Sequence, residues 1–258
     1  MPRTPPAVYL YVLVRSDRRP SLAGAPAGLA GTGPLRIVEA GPRLWLVAAD
    51  APLDRYGEEP IAKGLKDLDW VAERALAHET VVRHFARRRN AIPMRLFTLF
   101  SSDARAQEHV RSQQRRLGRV LTRVEGCEEW GVRLYADDPA PPSPRVRATA
   151  PDAGRRFLEH KRAQHRTART VPAATTKAAQ AIVRDLGKVA RDLRRHAVPA
   201  AAAAGRMLVD AAFLVPQESR PRFRAVLARH ASGARASGLR VSLTGPWPPY
   251  NFVDGAAS

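Results

Sequence analysis

The hydrophobic pattern opens with seven consecutive apolar positions, Val8-Tyr9-Leu10-Tyr11-Val12-Leu13-Val14, rich in β-branched and aromatic residues. A continuous run of that length predicts a strand buried on both faces. Pro, Gly and Ser collect over 17–34, a loop, and Leu35 to Glu39 and Leu44 to Val47 then read as two short strands around a Gly41-Pro42 turn. A connection over 50–67 leads to Asp69, an N-cap for a helix running to about Asn90. Val71, Ala75, His78, Val82 and Phe85 recur along it at helical spacing, and Arg87-Arg88-Arg89 suits the negative end of its dipole. Ile92 to Phe100 reads as a proline-started apolar strand, in which Arg95 demands a partner or an exposed edge.

Asp103 opens a second helix, to about Glu125, with Val110, Leu117, Val120, Leu121 and Val124 on one face and six arginines on the other. Gly126 ends it as a C′ glycine, and Glu129 to Tyr135 alternates as a strand. A proline-rich loop occupies 137–150, and the polar, basic stretch from Phe157 to about His196 is long enough for one helix or for two broken near Pro172. Met207 to Val215 is a strand, a helix follows through Phe223, Val226, Leu227 and His230, and Leu239 to Leu243 is a last strand. This order predicts an α+β protein of two domains. Residues 1–100 form an N-terminal α+β domain, a small mixed sheet with one main helix. Residues 101–258 form a ferredoxin-like variant with long helices.

The chain closes on Thr244-Gly245-Pro246-Trp247-Pro248-Pro249-Tyr250-Asn251-Phe252. Three prolines hold φ near about −65°, so this is a stiff strip carrying three aromatic rings, a clasp expected to support the C-terminal sheet.

Composition alters this picture in one respect. The formal net charge is +19, and of 43 basic residues only five are lysine, at 63, 66, 161, 177 and 188. An acidic partner, nucleic acid or an acidic membrane would all answer such a charge, and a GC-rich coding bias would also produce the arginine skew. No run of about 18 apolar residues and no signal-peptide pattern occurs, which predicts a cytoplasmic protein without a membrane span. The single cysteine, Cys127, cannot form an internal disulfide and reads as a free buried thiol.

Candidate chemistry is sparse. Gly28, Gly31 and Gly33 lie in a loop followed by strands, without the helix start or Gly-Lys-Ser/Thr that a phosphate cradle requires. His78-Glu79 begins like a zinc-binding helix, but Val82 stands where the second histidine ligand would be. Neither a nucleophile elbow nor a paired cysteine is present. The expectation is a protein with no enzymatic activity, no cofactor, no metal and no small-molecule substrate.

Several segments carry a family resemblance: Tyr9-Leu10-Tyr11, the helix bearing His78-Glu79, Ile92-Pro93-Met94-Arg95-Leu96-Phe97-Thr98-Leu99-Phe100, Gly126 with Glu129-Trp130-Gly131-Val132, Phe213-Leu214-Val215-Pro216, and the closing strip from Leu243 to Phe252. In order and over essentially the whole chain, these resemble the gas vesicle protein GvpL/GvpF family. The departures, Leu96, Leu99 and Ala211-Ala212-Phe213, are conservative. The resemblance implies a non-enzymatic accessory or minor structural role in gas vesicle assembly or nucleation. Its implied partners are the hydrophobic main shell protein and other accessory proteins, and its implied location is the cytoplasm, on the gas vesicle. His78, Glu79, Pro93, Met94, Arg95, Trp247, Pro248, Tyr250 and Phe252 are the structural or interaction candidates. The rival reading is a basic nucleic-acid-binding protein. Residues 101–128 hold no aromatic to stack on a base, so nucleic acid is not the expected partner.

Overall fold

A computed structural model describes residues 5–87, 90–137, 171–199 and 206–253. Strand β1 (Ala7–Arg15) is buried from Ala7 to Val14, as its unbroken apolar run requires. It lies beside β3 (Leu44–Ala51), which pairs in turn with β2 (Arg36–Gly41), and on its other side β1 pairs with β4 (Asn90–Pro93) and β5 (Leu99–Phe100). Every one of these pairings is antiparallel, so the sheet is not the mixed one expected. The segment 92–100 is not one strand either. A turn separates β4 from β5, with Phe97 at φ 64°, a left-handed conformation rare for a bulky side chain.

The connection over 50–67 holds two short helices, α1 (Leu53–Tyr56) and α2 (Glu58–Gly64). The main helix α3 spans Leu68–Ala86, and its cap is Asp67, not Asp69: the Asp67 carboxylate accepts from the backbone N–H groups of Asp69 and Trp70. His78, Val81, Val82 and Phe85 are its buried residues, joined in one core with Tyr9, Tyr11, Val47 and Tyr56. The second helical stretch breaks at Gln113 into α4 (Asp103–Ser112), which packs on β2, and α5 (Gln114–Val124), which packs on β4. Leu117, Leu121 and Val124 form the buried stripe of α5, and Gly126 follows with φ 65°.

By its contacts the chain divides into one unit of Met1–Glu129 with Pro246–Ser258 and another of Trp130–Gly245, not at residue 100. The reason is visible at Arg36 on β2, which pairs with Asp50 and reaches Asp103 at the head of α4, each at 2.8 Å. Both α4 and α5 thus complete the first unit.

The second unit is built on β6 (Cys127–Ala136), β7 (Asp192–His196), β8 (Met207–Pro216) and β9 (Leu239–Trp247), in the spatial order β7-β8-β6-β9. Helix α6 (Ala173–Gly187) precedes β7, and α7 (Arg220–Ala236) joins β8 to β9. Strand-helix-strand-strand-helix-strand in this spatial order is the ferredoxin-like arrangement anticipated above. Its core joins Trp130, Ile182, Val183, Leu186, Phe213 and Phe223. Strand β7 falls inside the stretch expected to be helical. Pro172 caps α6, and Asp192 to His196 pairs antiparallel along Asp210 to Leu214. Loop 137–150 beyond Asp137 and the first part of the basic stretch, 157–170, lie outside the described residues.

Candidate functional site

The candidate residues gather in the first unit, around α3. His78 projects from its buried face and is 3% exposed. Nε2 lies 3.0 Å from the Met94 carbonyl, which only accepts, so Nε2 carries the hydrogen. Nδ1 is then the acceptor of the Tyr9 hydroxyl at 2.7 Å, and the Tyr9 oxygen accepts in turn from the Phe97 backbone N–H at 3.2 Å. The ring stacks on Tyr11, with centroids 5.5 Å apart. Burial pushes the His78 pKa down to about 4 and raises those of Tyr9 and Tyr11.

This histidine is neutral, sealed and satisfied at both nitrogens, with none left to take a proton from a substrate or to bind a metal. Its chemistry is mechanical. It ties α3 to β1 and to the turn after β4, and the Met94 backbone N–H adds a bond to the Tyr11 carbonyl. Among the described residues no group of three or more His, Cys, Asp or Glu could hold a metal ion. Pro93 is buried opposite Val12 in the sheet, whereas the Arg95 side chain is exposed.

Glu79, one residue along, turns toward the closing strip. Its carboxylate accepts from the Tyr250 hydroxyl at 2.7 Å and from Arg83 at 3.4 Å. Burial and the nearby carboxylate push the Tyr250 phenol pKa up. The backbone N–H and side-chain amide of Asn251 both donate to Glu129, at 2.8 and 2.6 Å. Pro248, Pro249, Phe252 and Val253 are buried, and Tyr250 packs against the core that holds Tyr9 and Val81. By contacts the strip from Pro246 onward falls in the first unit, although Pro246 and Trp247 still end β9 and Asn251 bonds Glu129 on β6. Trp247 is no clasp residue: it is 37% exposed, with the Arg83 guanidinium 5.1 Å from its ring centroid.

Tyr9, Tyr11 and Glu129 were legible in the sequence as strand and family residues, not as candidate site residues. A Tyr-x-Tyr strand facing a histidine-bearing stripe was the available signal for the first two, since buried hydroxyls need partners. Glu129 beside an apolar Trp-Gly-Val run was the signal for the third. Tyr11 also accounts for the glycine loop. Its hydroxyl accepts from the Leu29 backbone N–H at 2.9 Å, and a Cβ at Gly28 would collide with that hydroxyl. The loop walls a concavity of about 500 Å³ and is tied down by hydrogen bonds to Tyr11, Tyr56 and the Asp50 carbonyl.

The family model described as gas vesicle synthesis protein GvpL/GvpF matches residues 7–254. Gas vesicle protein L of a Streptomyces species is 30% identical, over 95% of this chain and 92% of its own length. Gas vesicle protein F2 of Halobacterium salinarum is 27% identical, over 69% and 67%. Crystal structures of GvpF from Anabaena and from Microcystis aeruginosa share the fold, with TM-scores of 0.65 and 0.64 at 16% and 14% identity. Each covers 96% of this chain, and this chain covers 96% and 99% of theirs.

Proposed function

Since the chain belongs to the GvpL/GvpF family of gas vesicle synthesis proteins, we propose that it acts in gas vesicle assembly or nucleation by holding the hydrophobic main shell protein and other accessory proteins before the shell closes. An accessory role in gas vesicles follows from the family itself. The single observation that carries the reading is the match over residues 7–254, which includes both units and the returning strip. A subunit that polymerises into a dry wall exposes apolar surface beforehand, and a strongly charged partner keeps such a complex in solution.

The role is non-enzymatic. The one buried histidine among the candidates is spent on structure, and the strip's polar groups are spent on Glu79 and Glu129. The site of action is the gas vesicle in the cytoplasm, and no helix among the described residues is long and apolar enough to cross a membrane. His78, Glu79, Pro93, Met94, Tyr250 and Phe252 keep the first unit's shape in this reading, and partners meet other surfaces.

Co-expression of the tagged chain with the main shell protein tests it. Capture of the shell protein in soluble form, and loss of vesicles on deletion of the gene, are the expected results. Failure to capture any gas vesicle protein, together with nucleic-acid binding that weakens steeply with salt, would replace it with the nucleic-acid reading.

A further inference from the structure

Helix α4 follows the ordinary rules of an exposed amphipathic helix: Asp103 stands in its first turn, and Arg105 pairs with Glu108 at 2.7 Å. Helix α5, next in the chain, breaks three such rules. In Gln114-Arg115-Arg116-Leu117-Gly118-Arg119-Val120-Leu121-Thr122-Arg123-Val124 every charged side chain is an arginine. Arg115 and Arg116 occupy the first turn, at the positive end of the dipole, and no carboxylate accompanies them there. Arg115, Arg119 and Arg123 follow one another at i,i+4, so like charges are neighbours along one row. Gly118 stands in mid-helix, where glycine is a weak helix former.

The fold asks for none of this. Leu117, Leu121 and Val124 already bury the inner face of α5, the arginines are all exposed, and a Cβ at Gly118 would meet nothing within 4 Å. At the far end of the helix, Glu125 is held by Arg15 at 3.2 Å, and Arg123 leans over the Phe252 ring, 5.9 Å from its centroid. Arg115 and Arg119 stand one turn apart beside the bare backbone of Gly118. Features that weaken a helix and gather on one outward face mark a surface kept for a partner.

The same residues state the partner's chemistry. It is anionic, since the face holds guanidinium groups and no carboxylate. Residues 101–128 hold no aromatic ring to stack on a base, and α5 exposes no large apolar side chain to enter a membrane. An arginine side chain reaches a phosphate from the helix surface with or without a Cβ nearby, so the bare backbone at Gly118 serves a partner that packs on the helix itself.

We propose that α5 is the docking surface for an acidic amphipathic helix of another gas vesicle protein. Carboxylates at i,i+4 on that helix repeat with the same rise of about 6 Å as Arg115 and Arg119, so two charge-assisted pairs form in register, and a side chain between them seats on Gly118. Docking also neutralises the repulsion along the arginine row. The helix is assigned to a gas vesicle protein on the strength of the assembly role proposed above; its charge and shape follow from α5 alone.

Fluorescence anisotropy tests this with the full chain and a labelled helical peptide of about 20 residues, with glutamates in an i,i+4 row flanking leucine, against a peptide of the same composition with the row scrambled. The ordered peptide is expected to bind about tenfold more tightly than the scrambled one, and Arg115→Gln/Arg119→Gln to weaken it by about tenfold or more. Gly118→Leu fills the notch and weakens binding by about the same factor. Both variants melt at or above wild type, because each removes a feature that weakens α5. Equal affinity for the two peptides overturns the proposal, and so does binding indifferent to Gly118→Leu. A fall in melting temperature in either variant returns these residues to the fold and overturns it as well. Duplex DNA of about 20 base pairs, bound more tightly than the ordered peptide and released by the same arginine change, gives the face to nucleic acid instead. Capture of co-expressed shell protein separates this surface from the assembly role. Capture without preference for the ordered peptide overturns the docking surface alone, whereas peptide binding as expected with no gas vesicle protein captured keeps the surface and removes the role.

Discussion

Tyr250 donates its phenolic hydrogen to Glu79 at 2.7 Å, joining two residues 171 positions apart in the chain. The bond fastens the returning strip to α3 next to His78, so the helix is held from inside by Tyr9 and from the side by Tyr250. Removing the hydroxyl in Tyr250→Phe leaves Glu79 with Arg83. A hydrogen bond to a charged group contributes about 1.5–3 kcal/mol, and Glu79 is only part buried, so a loss near about 1.5 kcal/mol is expected in urea unfolding.

Phe252 and Trp247 lie five positions apart in the same strip yet differ in burial, 1% against 37% exposed. Phe252→Ala empties a closed site and should cost about 3–5 kcal/mol. Trp247→Ala should cost no more than about 1 kcal/mol, since an exposed cation–π contact is worth about 0.5–1 kcal/mol. Equal losses of unfolding free energy in the two variants would refute this ordering.

What the sequence made legible was set by burial. The run from Val8 to Val14, the stripe of α3 and strands β6, β8 and β9 of the second unit all declared themselves because apolar side chains repeat there with a strand or helix period. Strand β7 was illegible for the converse reason. Asp-Leu-Arg-Arg-His is an edge strand held by backbone bonds to β8, and such bonds leave no side-chain pattern. The unit boundary was hidden because it depends on which strands the helices pack against, α4 on β2 and α5 on β4, and apolar periodicity does not name the partner. Aromatic content marked the strip as a docking segment, but which ring docks, and on which unit, is decided by partners 122 and 171 residues away.

His78 gives stability a pH dependence whose sign is fixed by its neutral native state. Its pKa is about 4 in the folded protein against 6.5 for an ordinary histidine, so between those values the unfolded chain binds the extra proton. Its contribution is complete above about pH 6.5, falls as pH drops through this window, and is gone below about pH 4. The span is about 3 kcal/mol. Urea midpoints measured from pH 7.5 to 4 should fall more steeply for wild type than for His78→Gln, and parallel curves would refute the assignment.

Two helical glycines answer opposite steric demands. A Cβ at Gly118 in α5 meets nothing within 4 Å, while one at Gly64 would come 2.6 Å from the Trp70 ring. Trp70 is also packed against Phe97, with centroids 5.4 Å apart, and lies under the Arg74 guanidinium at 4.1 Å, so it cannot yield without disturbing the turn after β4. Gly118→Ala should therefore stabilise by about 0.5–1 kcal/mol, since alanine costs less backbone entropy within a helix and finds open space. Gly64→Ala should destabilise by about 1–3 kcal/mol through overpacking. Thermal melts of the two variants should move in opposite directions. A Gly118→Ala protein that melts higher but captures less shell protein would show that the bare backbone at residue 118 is kept for a partner's close approach.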